Sequence, residues 1–151
     1  MTDKITSFIM VGVPGSGKST YSKYIQKQYK SIIVSPDDIR EELYGSADVQ
    51  GEWNEIEEVM DNMIDEYAHQ SIIIDATHCN SRSRKESKFK LEKYGHNVIA
   101  VVLERSLDIC LQQNMIRDRQ VPIHIIDKMF EQLSNSIFHI NNEGFHDVLY
   151  V

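Results

Sequence analysis

The run Gly12-Val-Pro-Gly-Ser-Gly-Lys-Ser19 constrains this chain more than any other feature. Before it stands Ser7-Phe-Ile-Met-Val11, a short apolar run that reads as a buried strand because glycines follow at once. After it, Lys18 to Lys30 reads as a helix, with Tyr21, Tyr24 and Ile25 at helical spacing. Strand, glycine-rich turn and helix together satisfy the full pattern Gly-x-x-x-x-Gly-Lys-Ser/Thr. The glycines let backbone N–H groups turn inward into a concave anion site, and the helix adds its positive end. Gly12, Pro14, Gly15, Ser16, Gly17, Lys18, Ser19 and Thr20 are therefore expected against the phosphates of bound ATP. Lys18 is expected to reach the β and γ phosphates, and the Ser19 hydroxyl to ligate Mg²⁺. A tight strand-to-helix turn would also require glycine, but it explains neither Lys18 nor Ser19.

The rest of the chain alternates in the same way. Ser31–Val34, Ser71–Asp75, Asn97–Leu103 and Val148–Val151 read as strands. Between them lie a helix opened by Ser35-Pro-Asp-Asp38, a long amphipathic helix from Gln50 to Gln70, and a basic helix capped by Asn80 or Ser81. In the long helix Trp53, Ile56, Met60, Met63, Ile64 and Tyr67 share one face. Two more helices are expected, from Leu107 to about Ile116 and from Pro122 to about Asn135. Apolar strands alternating with helices imply a three-layer α/β domain with a parallel sheet of about five strands and a small helical lid. With 151 residues the expectation is one domain over 1–151. Ligands in such sheets bind beyond the carboxyl ends of the strands, where Gly12, Ser35, Asp75 and Glu104 all fall.

Composition bounds the setting. No apolar run approaches the roughly 20 residues of a membrane span, so no membrane association is expected. The start Met1-Thr-Asp-Lys4 is polar, and the apolar stretch behind it runs into the glycine loop, as a core strand does and a signal peptide does not. Cys79 and Cys110, two cysteines in a chain with core enough, are expected as free thiols in a reducing cytoplasm. The net charge of −7 argues against nonspecific nucleic-acid binding if read globally, but eleven acids and no Lys or Arg lie between Glu41 and Ser81, so the remainder carries +4.

On the acceptor side, Asp37 and Arg40 are three apart on a helix that starts at a strand end, so they share a face. A carboxylate there accepts a proton from an attacking hydroxyl, and the arginine fork suits an anion on the acceptor. Acids in a first helical turn are also favoured by the dipole alone, a reading that fits Asp38, at the capping position, better than Asp37. Asp75, at the end of an apolar strand, is placed to hold Mg²⁺ or to cap the next segment. Thr77 and His78 follow on the same loop, and His78 receives no role. Arg117 and Arg119 lie between two helices, placed to neutralise charge on the ATP phosphates, or simply to complement a helix C-terminus. No Asn-Lys-x-Asp segment that would read guanine is present, so a GTPase is not expected.

Taken in order, these motifs resemble the kinase domain of bacteriophage polynucleotide kinase and its relatives over nearly the whole chain. Val13-Pro-Gly-Ser-Gly-Lys-Ser-Thr20 is similar to that family's phosphate loop, and Pro36-Asp-Asp-Ile-Arg40 to its Arg-Asp-Asp-Tyr-Arg segment. Ile74-Asp-Ala-Thr-His-Cys-Asn80 resembles its strand-end Asp-x-Thr-Asn loop, and Asn114-Met-Ile-Arg117 before Val121-Pro122 resembles its lid. The resemblance implies a general base at Asp37, acceptor contacts at Arg40 and Thr77, a phosphate-clamping arginine at Arg117, and catalysis by Lys18, Asp37 and Arg117. It implies ATP and Mg²⁺ as cofactors and the 5′ end of DNA or RNA as acceptor. Ala76, His78 and Gln113 depart from the pattern, on the acceptor side and in the lid. A small-molecule kinase for a nucleotide, sugar or antibiotic, or a nucleotide-dependent switch without an acceptor, are the alternatives.

Overall fold

Short runs rich in β-branched residues form the strands: β1 (Thr6–Val11), β2 (Ile32–Val34), β3 (Ile72–Ile74), β4 (Asn97–Val102) and β5 (Asp147–Tyr150). In the computed structural model, which describes residues 3–151, they make one sheet in the order β2-β3-β1-β4-β5. Met1 and Thr2, the first half of the polar start, lie outside the described residues. Every pairing is parallel, with Ile9 opposite both Ile74 and Ala100, Val34 opposite Ile74, and Val102 opposite Tyr150.

Six helices cover the sheet: α1 (Lys18–Tyr29), α2 (Pro36–Tyr44), α3 (Trp53–Glu66), α4 (Ser81–Glu92), α5 (Leu107–Met115) and α6 (Ile123–Ser136). Side chains alternate along each strand, so one sheet buries two faces. Ile9, Val11, Val34, Ile74 and Val102 pack with Ile56, Met60 and Ile64 of α3 and Leu91 of α4. Phe8, Met10, Ile73 and Val101 pack on the other face with Ile25 of α1. A third cluster, Val13, Cys79, Cys110 and Ile126, lies beneath the glycine loop and against α5 and α6. The two cysteines are buried free thiols.

The helix starts follow the capping residues. Ser35 Oγ accepts from Asp38 N at 3.3 Å, and Asn80 Oδ1 accepts from Ser83 N at 2.8 Å. Each such cap contributes about 1 kcal/mol. The structure differs from the sequence reading chiefly around the long helix and after the last one. The long helix begins at Trp53 rather than Gln50 and ends at Glu66. Trp53, expected on the core face with Ile56, is 48% exposed, because the first residue of a helix lies beyond the layer it packs on. A 3-10 helix, Ile137–Asn142, follows α6 directly, with Ile140 buried.

Sheet order fixes where chemistry can gather. β1 sits at the centre, between β3 and β4, and the chain crosses from one side of β1 to the other between them. The carboxyl ends of β1, β2 and β3 thus deliver Gly12, Ser35 and Asp75 to one edge, at the switch in strand order. Among the described residues no helix is long and apolar enough to cross a membrane.

Candidate active site

The loop leaves β1 with Gly12 N donating to Thr77 O at 3.0 Å, which ties it to the segment after β3. Gly15 (φ +86°) and Gly17 (φ +96°) take left-handed backbone that a side chain would strain. At Gly15 a Cβ would also strike the carbonyl of Cys110. The loop therefore presents bare backbone to its concave side. The Ser16 side chain is buried within it, and its hydroxyl has no hydrogen-bond partner. A buried hydroxyl without a partner inside a glycine-rich turn before a helix fits the binding of an anion there. Lys18 folds back across the loop and donates to Val13 O at 3.2 Å. Burial pushes its ammonium below the usual lysine range, with Asp75 pulling the other way and Arg117 adding to the fall.

Ser19 Oγ donates to Asp75 Oδ2 at 3.3 Å, so the loop serine and the β3 acid, distant in sequence, meet. Burial raises the Asp75 carboxyl above its ordinary value, and Lys18 and Ser19 offset part of that. One hydroxyl and one carboxylate are hard oxygen donors. They suit Mg²⁺, which keeps most of its water and takes few protein ligands, and do not amount to a full protein cage.

Asp37 stands across the same opening, on the first turn of α2. Arg40 Nη1 donates to its Oδ1 at 2.9 Å, and Arg119 Nη1 to its Oδ2 at 3.2 Å. Asp38 lines the same cavity, together with Lys23. Burial raises its carboxyl, and the neighbouring charges of Asp37 and Glu41 raise it further. Adjacent acids on one helix therefore differ in their partners: Asp37 is held by two arginines, and Asp38 makes no ion pair among the described residues.

A cavity of about 910 Å³ joins these groups, lined by Pro14, Lys18, Ser19, Asp37, Arg40, Asp75, Thr77 and Arg119 among others. Thr20 is exposed on α1 and is not part of the lining, nor is Arg117, on the connection between α5 and α6. That connection is held by Asn114, whose Nδ2 donates to Val121 O at 2.8 Å while its Oδ1 accepts from Val121 N at 2.9 Å. Arg119, expected on the ATP phosphates, reaches instead to Asp37 and, through Nε at 2.9 Å, to Asp48.

Two residues without a sequence-derived role support the loop after β3. His78 is buried at φ 49°, its Nδ1–H donating to Met10 O and its Nε2 accepting from Ser87 Oγ at 2.8 Å. Burial lowers its pKa to about 4, so the ring is a neutral strut. Arg84, fully buried in the helix read as basic, pairs with Glu143 through two bonds of 2.7 Å and donates to His78 O at 3.0 Å. The available signal was spacing: Arg84, Ser87 and Leu91 fall on the buried face of α4.

A central phosphate loop, a hydroxyl–carboxylate pair beside it and a second acid across one cavity, on this five-stranded parallel sheet, define a P-loop kinase domain. The chain belongs to the AAA domain family, whose sequence model matches residues 8–136. It is similar to an L-seryl-tRNA(Sec) kinase of Methanococcus maripaludis, with 27% identity over 82% of this chain and 51% of the relative. A chain of the Pnkp1/Rnl/Hen1 RNA repair complex superposes with a TM-score of 0.81 at 20% identity, covering 91% of this chain and 47% of that one. A gluconokinase from Sinorhizobium meliloti 1021 gives a TM-score of 0.59 at 16% identity, over 99% of this chain and 83% of that one. This chain thus spans about half the length of the curated relative and of the RNA repair chain.

Proposed function

We propose that this domain transfers the γ-phosphate of ATP to the 5′-hydroxyl at the end of a DNA or RNA strand. The observation that carries this reading is the position of Asp37. It lines the same cavity as Lys18, Ser19 and Asp75 but stands on a different strand end, beside a half-buried arginine. An acid so placed serves an incoming hydroxyl, whereas an acid beside Ser19 serves the metal. Asp37 accepts the hydroxyl proton as the acceptor oxygen bonds to the γ-phosphorus and the bond to the β–γ bridging oxygen breaks, leaving ADP. Lys18 leaves the Val13 carbonyl for the β and γ phosphates, and Arg117, which no ion pair or side-chain hydrogen bond holds among the described residues, adds charge from the lid. Ser19 and Asp75 hold Mg²⁺, which when bound neutralises charge on the transferring group. Arg40 and Thr77 face the acceptor.

One observation favours a small-molecule acceptor as second reading: Asp48, Glu57 and Glu86 also line the cavity, and their charge repels a long polyanion. The test is a labelled-ATP transfer assay over oligonucleotides, nucleoside 3′-monophosphates and sugar acids. Transfer to 5′-hydroxyl ends is expected, and Asp37→Asn should reduce its kcat by roughly 10²–10⁴-fold while ATP still binds. Asp38→Asn should retain most activity. Transfer only to sugar acids would overturn the polynucleotide reading, and the reverse pattern in the two mutants would move the base to Asp38.

A further inference from the structure

Asp37 is held on both carboxylate oxygens before any acceptor arrives. Arg40 takes Oδ1 and Arg119 takes Oδ2. The two arginines come from opposite walls, Arg40 from α2 and Arg119 from the connection between α5 and α6. Arg119 is fixed on this side by two further contacts, Nε to Asp48 Oδ1 at 2.9 Å and Nη2 to Ala47 O at 3.4 Å. Arg40 has only 15% of its side chain exposed, and its Nε is buried with no partner. A guanidinium with an idle buried donor is an incomplete anion site, because burying an unpaired polar group costs free energy that a ligand recovers.

We propose that Arg119 is an acceptor-binding residue which, with Arg40, forms a two-arginine clamp for a single anionic group next to the reacting hydroxyl. The inference rests on the polynucleotide reading above and sharpens it. When the acceptor's anion enters, Arg40 turns its guanidinium toward it and Arg119 exchanges Asp37 for the anion. That exchange frees an Asp37 oxygen for the hydroxyl proton. Arg fork geometry suits phosphate, so the anion is the phosphate on the 3′ side of the terminal nucleoside. The clamp takes one anion and not a series. Lys90, which also lines the cavity, is already paired with Glu57 at 2.9 Å and with Asp61. The acceptor class is therefore a chain end recognised by its first internucleotide phosphate.

Product-side binding tests this without a turnover assay. Cytidine 3′,5′-bisphosphate and cytidine 5′-monophosphate are titrated calorimetrically into protein saturated with Mg-ADP. The wild type should prefer the bisphosphate by at least about tenfold, the value of one charge-assisted hydrogen bond. Arg119→Gln should lose most of that preference and keep its affinity for ADP. Arg117→Gln should keep the preference. If the wild type discriminates and Arg119→Gln discriminates equally well, the clamp is wrong and the polynucleotide reading stands. A variant that loses ADP affinity but not the preference would return Arg119 to the ATP phosphates. If the wild type itself does not discriminate, the polynucleotide reading and the clamp both fall.

Discussion

A histidine directly after Thr77, whose carbonyl holds the phosphate loop, invites a catalytic reading, and the surroundings of His78 remove it. Its Nδ1–H is spent on Met10 O, its Nε2 on Ser87, and burial holds its pKa near 4 against the ordinary 6.5. The sign follows from proton uptake. Between pH 6.5 and about 4 the unfolded chain binds a proton at this residue and the folded chain does not, so stability falls as pH drops through that window. Below about pH 4 both states are protonated and the loss levels off at about 3 kcal/mol. His78→Asn, with a residue that tolerates the left-handed backbone found here, should start less stable but lose less on acidification. Urea unfolding of both proteins at pH 7, 5.5 and 4.5 checks this. Parallel losses in the two proteins would mean that His78 does not titrate in this window.

At the scale of elements, Arg84 and Glu143 join α4 to the turn after the 3-10 helix, both side chains almost wholly buried. Burial works to raise the Glu143 carboxyl, but hydrogen bonds from Arg84 and Ser81 hold it below its usual range. Removing one member leaves the other charged and dry, a cost of about 3–5 kcal/mol. Glu143→Gln should therefore lower stability by that order. The double replacement Arg84→Met with Glu143→Leu should recover most of it, as judged by denaturant midpoints. A double mutant no more stable than Glu143→Gln would show that the bonds to His78 and Ser136 carry the effect.

The phosphate loop, the capped helix starts and the five strands were legible in the sequence because each depends on local chemistry: glycine conformation, side-chain caps, apolar runs bounded by breakers. So was the shared helical face of Asp37 and Arg40, which needs only helical spacing. What local chemistry does not carry is contact across distance. Arg119 meets Asp37 from 82 residues away, and Arg84 meets Glu143 from 59. Trp53 misled for a related reason: period alone placed it on the apolar face, while the end of the layer left it at the cavity wall.

For the whole molecule, the net charge of −7 and the one anion site proposed near Asp37 predict weak electrostatics with nucleic acid. One or two phosphates gripped on a single strand give a slope of about −0.7 to −1.4 in log affinity against log salt. Acceptor affinity should thus fall only about three- to sevenfold between 50 and 200 mM salt. A fall near a hundredfold would reveal a phosphate track along the surface. Strand order has one more consequence. β1 and β3, which place the loop and Asp75, are each paired on two sides, whereas β2, which leads to Asp37 and Arg40, is paired on one. A substitution in α2 or on the open side of β2 disturbs the sheet's margin, and the central ladder that carries the phosphate loop lies two strands away from it. Descent with modification can therefore rewrite what such a chain phosphorylates far more readily than what it spends to do so.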